Sequence, residues 1–137
     1  MADEELGDLV MQVARTLRRR WRDVLGPWDL SPHQARALRV VAETDGLRLS
    51  ALAEALRIAP RSATEVVDGL AGRGLVERAA DDSDRRAVVV RVTEEGRRVR
   101  REVDAARAAD SRQLFQQLPP GDRDQLARTL RALAGDS

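Results

Sequence analysis

The side chains best able to do chemistry sit in two short places. Arg61, Ser62 and Thr64 follow Pro60 within two turns, and residues 81–86 read Asp-Asp-Ser-Asp-Arg-Arg. Arginine offers a planar fork of donors that fits phosphate and the guanine edge, and hydroxyls can meet either bases or backbone. This is the chemistry of a nucleic-acid surface. The usual signs of a reaction centre are missing. The chain has no cysteine and a single histidine, His33. It has no glycine-rich phosphate loop, no histidine pair and no acid pair beside His33. No catalytic residue, metal site or cofactor is therefore expected.

The 137 residues amount to one domain and can bury a real core. All 24 basic residues are arginine, opposed by 23 acids, for a formal charge of +1. With charges so nearly balanced, a basic footprint must be made by folding. The first residues are acidic, unlike an export signal, and no apolar run approaches membrane length. The expected location is the cytoplasm, with no membrane partner.

The elements that position the candidate side chains lie between Ser50 and Val92. Leu52, Ala53, Leu56 and Ile58 recur at helical spacing, with Ser50 as the expected N-cap. Pro60 suits the first turn of a second helix, whose inner face is expected to hold Val66, Val67 and Leu70. Gly74 supplies its stop. The period then changes to two. Leu75 to Arg78 predicts one strand and Ala87 to Val92 another, with Val88, Val90 and Val92 on one face. Two helices around a tight turn followed by a hairpin make a winged helix-turn-helix, so the fold class expected is mainly α with a small β-hairpin wing. In that geometry the second helix enters a major groove and the hairpin tip reaches the backbone or minor groove. Arg61, Ser62 and Thr64 lie off the apolar face and are the groove candidates.

Before this unit, Asp3, Glu4 and Glu5 open a helix and Arg18, Arg19, Arg20 and Arg22 lie near its end, matching the helix dipole. Leu6, Leu9, Val10, Val13 and Leu17 form its apolar stripe, continued by Trp21, and Leu25-Gly26-Pro27 stops it. Ser31, Pro32 and Gln34 predict a capping box at the start of the next helix, with Ala37, Leu38, Val40 and Val41 turned inward. Residues 47–49 predict a short strand beside the hairpin. Thr93 caps a long helix expected to run to about Gln117, carrying Val99, Val103, Ala106, Leu114 and Phe115. Pro119-Pro120 breaks it before a last helix with Leu126, Leu130 and Leu133. The chain is thus read as a single domain, 1–137, with a winged unit over about 31–92 and outer helices over about 4–24 and 93–135. Neither terminal segment is needed to close the winged unit, so their stripes predict a two-fold homodimer.

These blocks resemble the MarR family of bacterial transcription regulators. Leu56-Arg57-Ile58 followed by Val66-Val67-Asp68-Gly69-Leu70 resembles its helix-turn-helix. Arg73-Gly74-Leu75-Val76-Glu77-Arg78 resembles its wing entry, Asp84 and Arg86 its Asp-x-Arg wing signature, and Val92-Thr93-Glu94-Glu95-Gly96 the opening of its long helix. The resemblance implies a dimer joined by the first, long and last helices. It implies a recognition helix in the major groove, with Pro60, Arg61, Ser62, Thr64 and Glu65 in its first turns. It places Arg86, and after it Arg85, in the minor groove, makes Asp84 the residue that aims the wing, and leaves Arg73 either on phosphate or paired with an acid. It also implies a pocket for a small aromatic or phenolic effector, near which Trp21, Trp28, His33 and Arg36 fall. Core and hinge packing is the plainer reading of those four.

Two departures stand out. Ala59 replaces the usual serine cap of the recognition helix, a loss of about 1 kcal/mol. Glu65 stands where a basic residue is common, although a glutamate can accept from cytosine N4. The function expected is a ligand-responsive dimeric repressor on a pseudo-palindromic operator in double-stranded DNA. The alternative is a winged protein-interaction module without specific DNA binding, which salt-sensitive binding to random duplex would separate from it.

Overall fold

Local capping chemistry marks where α2 and α5 begin in this computed structural model, which describes residues 1–135. Helix α1 runs Asp3–Leu25 with its three acids in the first turn, and a 3-10 turn over Gly26–Trp28 follows. Helix α2, Pro32–Ala42, begins with the expected capping box. The Gln34 N–H donates to Ser31 Oγ at 3.1 Å, and the Ser31 N–H donates to Gln34 Oε1 at 3.0 Å. Strand β1 is Leu47–Arg48, followed by α3, Leu49–Leu56, and α4, Pro60–Gly72. Strands β2, Val76–Ala80, and β3, Val88–Val92, form the hairpin. Helix α5, Glu94–Phe115, and helix α6, Pro120–Ala134, complete the order.

Three local expectations are corrected. Ser50 is not a cap: α3 begins at Leu49 with Arg48 as its N-cap, because β1 pairing holds Arg48 extended and lets the helix start two residues sooner. Ile58 lies beyond α3, after Arg57 in the left-handed conformation. Val88 does not share a buried face with Val90 and Val92; it is 54% exposed because the hairpin projects past the body there, while Val89 is buried.

The sheet order is β1-β3-β2, antiparallel throughout. Leu47 faces Val90 in the register, and β2 pairs with β3 from Val76↔Val92 to Ala80↔Val88. The core joins Leu38 and Val41 of α2, Leu52 and Leu56 of α3, Val67 and Leu70 of α4, Val90 and Val92 of β3, and Val99 and Val103 of α5. Ala63 lies on the same buried face of α4 as Val67 and Leu70, whereas Val66 is half-buried.

The start of α5 is locked to the end of the reading unit. Thr93 Oγ1 accepts from the Gly96 N–H at 3.0 Å and donates to the Gly74 carbonyl at 2.6 Å, and the Thr93 N–H donates to the Leu75 carbonyl at 3.1 Å. A Cβ on Gly96 would lie 2.0 Å from the Leu75 oxygen. The Thr-x-x-Gly spacing therefore has a steric reason here: the helix backbone passes too close to the chain for any side chain at that position. No helix among the described residues is long and apolar enough to cross a membrane.

Candidate nucleic-acid interface and effector cleft

Helix α4 is fixed from behind by Ala63, Val67 and Leu70, which leaves its first turns outward. Pro60, Arg61, Ser62 and Glu65 are exposed. Thr64 is half-buried and its hydroxyl donates to the Pro60 carbonyl at 3.1 Å, so its donor is used within the helix. The N-cap Ala59 provides no side-chain cap, as its chemistry dictates. Gly69 keeps the inner side of α4 close to α2, since a Cβ there would lie 2.6 Å from Gln34 Nε2.

The wing tip is closed by its own acids. The Arg86 N–H donates to Asp84 Oδ1 at 3.1 Å, and the Ala87 N–H donates to the Asp84 carbonyl at 3.0 Å. Asp84 thus shapes the turn through the backbone of Arg86. Its side chain makes no ion pair among the described residues; the arginine-paired acids are Asp81, with Arg48, and Asp82, with Arg91. Arg85 and Arg86 are exposed and have no carboxylate partner among the described residues. An ion pair between Arg78 and Asp68 ties β2 to α4.

Arg73, placed among the phosphate-contacting candidates, is engaged elsewhere. Its guanidinium donates to the Trp28 carbonyl and, at 2.8 Å, to the Asp29 carbonyl. Asp29 has φ +51° at the α1–α2 junction. Among the described residues Arg73 pairs with no acid, and its donors meet the two carbonyls of this turn.

A second site lies where α1, α2 and α5 meet. Trp21, Leu25, Pro32, Ala35, Arg36, Arg39 and Arg107 line a cleft of about 270 Å³. The Arg107 guanidinium stands 4.6 Å from the centroid of the Trp21 ring, within cation–π range. The Trp21 indole N–H is buried and has no partner among the described residues. Burial, and then the charge of Arg39, push the Arg107 guanidinium below its ordinary value. A partly desolvated guanidinium with like charges nearby, beside an unmet donor, favours an anion with a flat apolar body.

The cleft gathers only part of the expected set. Trp21 and Arg36 line it; Trp28 and His33 do not. Trp28 packs on the core and donates from Nε1 to Glu102 Oε2 at 3.1 Å, which pins the α1–α2 junction to α5. His33 is exposed in the first turn of α2.

The MarR family model matches residues 30–88. The HTH-type transcriptional repressor Rv2887 of Mycobacterium tuberculosis is 30% identical over 135 residues, covering 98% of this chain and 96% of that protein. This chain belongs to the MarR family. CouR from Rhodococcus jostii RHA1, solved bound to p-coumaroyl-CoA, is similar with a TM-score of 0.78 and 29% identity, covering 96% of this chain and 93% of that one. A MarR family protein from Bacillus stearothermophilus gives a TM-score of 0.86 at 27% identity, covering 99% and 97%. The molecule is a winged-helix transcription regulator that binds DNA.

For a MarR protein the cleft residues that sequence reasoning missed are Arg39 and Arg107. A signal for Arg107 was available. It lies four residues after Val103, on the inward register of α5, where an arginine breaks the apolar pattern. Arg39 lies three residues after Arg36, on the same side of α2.

Proposed function

We propose that this MarR protein acts as a homodimeric repressor that reads a pseudo-palindromic operator and is released by a small aromatic anion. The reading is carried by one observation: α4 buries Ala63, Val67 and Leu70 while Arg61, Ser62 and Glu65 stand exposed beside a wing tipped by Arg85 and Arg86. Arg61 and Ser62 are assigned to the major groove. Glu65 is a candidate acceptor for cytosine N4, and Thr64 is left with a methyl group and an acceptor to offer. Arg86, oriented through Asp84, is assigned to the minor groove, with Arg85 on the adjacent backbone.

The dimer is supported by the outer helices. Leu6, Leu9, Val10 and Val13 of α1 and Leu130 and Leu133 of α6 are exposed apolar side chains that a second copy would cover. Two heads would then meet one face of the duplex, with half-sites about 34 Å apart.

The cleft supports the effector role. It is lined by Trp21 and by Arg36, Arg39 and Arg107, and it touches both the outer helices and α2 of the head. CouR, in its solved complex, holds an aromatic acyl thioester with anionic groups. An effector can shift the spacing of the heads only by as much as it prefers one arrangement over the other.

Selection of bound duplexes from a random pool tests the reading. A two-fold symmetric motif bound by a species of twice the chain mass is the expected result. Titration of that complex with p-coumarate and with p-coumaroyl-CoA, followed by the tryptophan fluorescence of a Trp28→Phe variant, then tests the cleft. Recovery of no preferred duplex would sink the operator reading. A quench without DNA release would sink the effector reading alone.

A further inference from the structure

We infer that Arg48 and Asp81 form a clamp that sets where the wing stands relative to the recognition helix. The inference rests on the DNA-binding reading above and adds two positioning residues to it.

Beyond Ala80 and Val88 the wing has no third strand, since β1 ends at Arg48 opposite Val89. An isolated two-stranded ribbon is marginal and twists freely. Something must fix its direction if Arg85 and Arg86 are to meet the duplex together with α4. Asp81 is the first residue after β2 and lies at this hinge. Arg48 Nε and Nη2 each lie 2.9 Å from Asp81 Oδ2. The other carboxylate oxygen accepts from the Ser83 N–H at 3.0 Å and the Ser83 hydroxyl at 2.9 Å. Both oxygens of Asp81 are therefore engaged, one toward the body and one toward the tip.

The position of Arg48 gives the contact its reach. It is the N-cap of α3 as well as the last residue of β1, so it belongs to the helix-turn-helix and to the sheet at once. The pair between Arg91 and Asp82 runs alongside at 3.2 Å, but the Asp82 side chain is 92% exposed against 18% for Asp81. Arg48 itself is 49% exposed, so the pair lies at the surface; Asp81 holds its geometry better than Asp82 because Arg48 and Ser83 engage both of its oxygens. The clamp thus connects the base of the wing to the element that leads into α4, and the head presents helix and wing as one unit.

The sign of one substitution separates this from simple electrostatics. Removing an acid beside DNA should tighten binding if Asp81 only repels phosphate. If Asp81 positions the wing, its removal weakens binding. Asp81→Asn keeps an acceptor for Ser83 and removes the charge that Arg48 grips, while Arg48→Met keeps length without donors. The probe is the duplex selected from a random pool by the unaltered dimer. We expect each variant to bind it about threefold to fivefold more weakly. The double variant should be no weaker than either single one, since both remove the same contact. Hydroxyl-radical protection in the minor groove under the wing should fade, while guanine N7 protection under α4 persists. Thermal melts of the variants should stay close to that of the parent, because the pair is peripheral.

Equal or tighter binding by Asp81→Asn overturns the clamp. So do additive losses in the double variant, or a footprint that weakens uniformly. A salt slope reduced by about 0.9 in Arg48→Met alone, with Asp81→Asn silent, would make Arg48 a phosphate ligand instead. If the parent protein selects no duplex, the DNA reading fails and the clamp with it; if it does and the variants match it, only the clamp fails.

Discussion

The reading head and the outer helices carry similar apolar patterns, yet they end in opposite states. In the head, Ala37, Val41, Leu52, Val67 and Leu70 are each 0% exposed. In α1, Leu6, Leu9, Val10 and Val13 are 48%, 46%, 50% and 51% exposed, and α6 contributes no buried residue. The head closes on itself because three helices and a sheet surround one centre. Helix α1 is held to α5 toward its C-terminal end by the Arg20–Asp110 pair at 3.0 Å and by Trp21 under Arg107. Its N-terminal half has a stripe and nothing to lay it on. Amphipathic spacing therefore says that a face will be buried, but not by which chain.

Breaking the two regions should give different failures. Leu70→Ala leaves a hole where α4 meets the core, and the expected cost is about 2–5 kcal/mol in chemical denaturation. A cost under about 1 kcal/mol would mean that the head is looser than its burial implies. Leu9→Glu combined with Val13→Glu puts charges on the α1 stripe instead. Sedimentation should then report a single chain that keeps its helical circular dichroism and loses operator affinity. A species of dimer mass with unchanged affinity would show that the stripe is not the joint.

A smaller change sharpens the contrast within the head. Arg86→Ala removes an exposed guanidinium from a turn whose backbone contacts belong to Asp84. Operator binding should weaken by roughly 1–3 kcal/mol, and the salt slope should fall by about 0.9. Denaturation should be unchanged, unlike in Leu70→Ala. Unaltered affinity in a gel-shift titration would refute the minor-groove assignment.

What was legible in the sequence follows the range of the interactions. The Ser31–Gln34 capping box, the acids opening α1, the Thr93 cap and the Gly74 stop act over three or four residues, and each is found where spacing put it. Ser50 failed because pairing of Arg48 with Val89, far along the chain, decided where α3 could begin. Val88 failed because alternation gives a face but not where the body under it ends. In the candidate site, Arg61, Ser62 and Thr64 were readable as residues off an apolar face, whereas Glu65, Arg85 and Arg86 came with the family resemblance; all but the half-buried Thr64 are exposed. The role of Arg73 was not readable, since its partners are carbonyls 44 and 45 positions away. The Arg48–Asp81 pair spans 33 positions, and the cleft joins α1 to α5. Charge–charge contacts at that separation leave no period to read.

The gentlest probe of the head is pH. The Asp81 carboxyl is held below the usual carboxylate range, first by the Ser83 backbone N–H and then by the Arg48 guanidinium. A value lower in the folded state than in the unfolded chain means that folding favours the ionised form. Its contribution is fully present above the unfolded value, about 3.9, and is lost as the pH falls through the lower folded one. Asp81→Asn should therefore be slightly less stable than the parent in urea at neutral pH. The gap should close as the medium is taken well below pH 4, where the parent's carboxyl is protonated too. Glu95, lowered by Arg98, follows the same sign in both proteins and so cancels in the comparison. Because the groups are at the surface, added salt should shrink the neutral-pH gap as well. A gap that persists unchanged into acid would assign the effect of Asp81→Asn to the amide's altered turn geometry, and would remove the ion pair from the account of the wing.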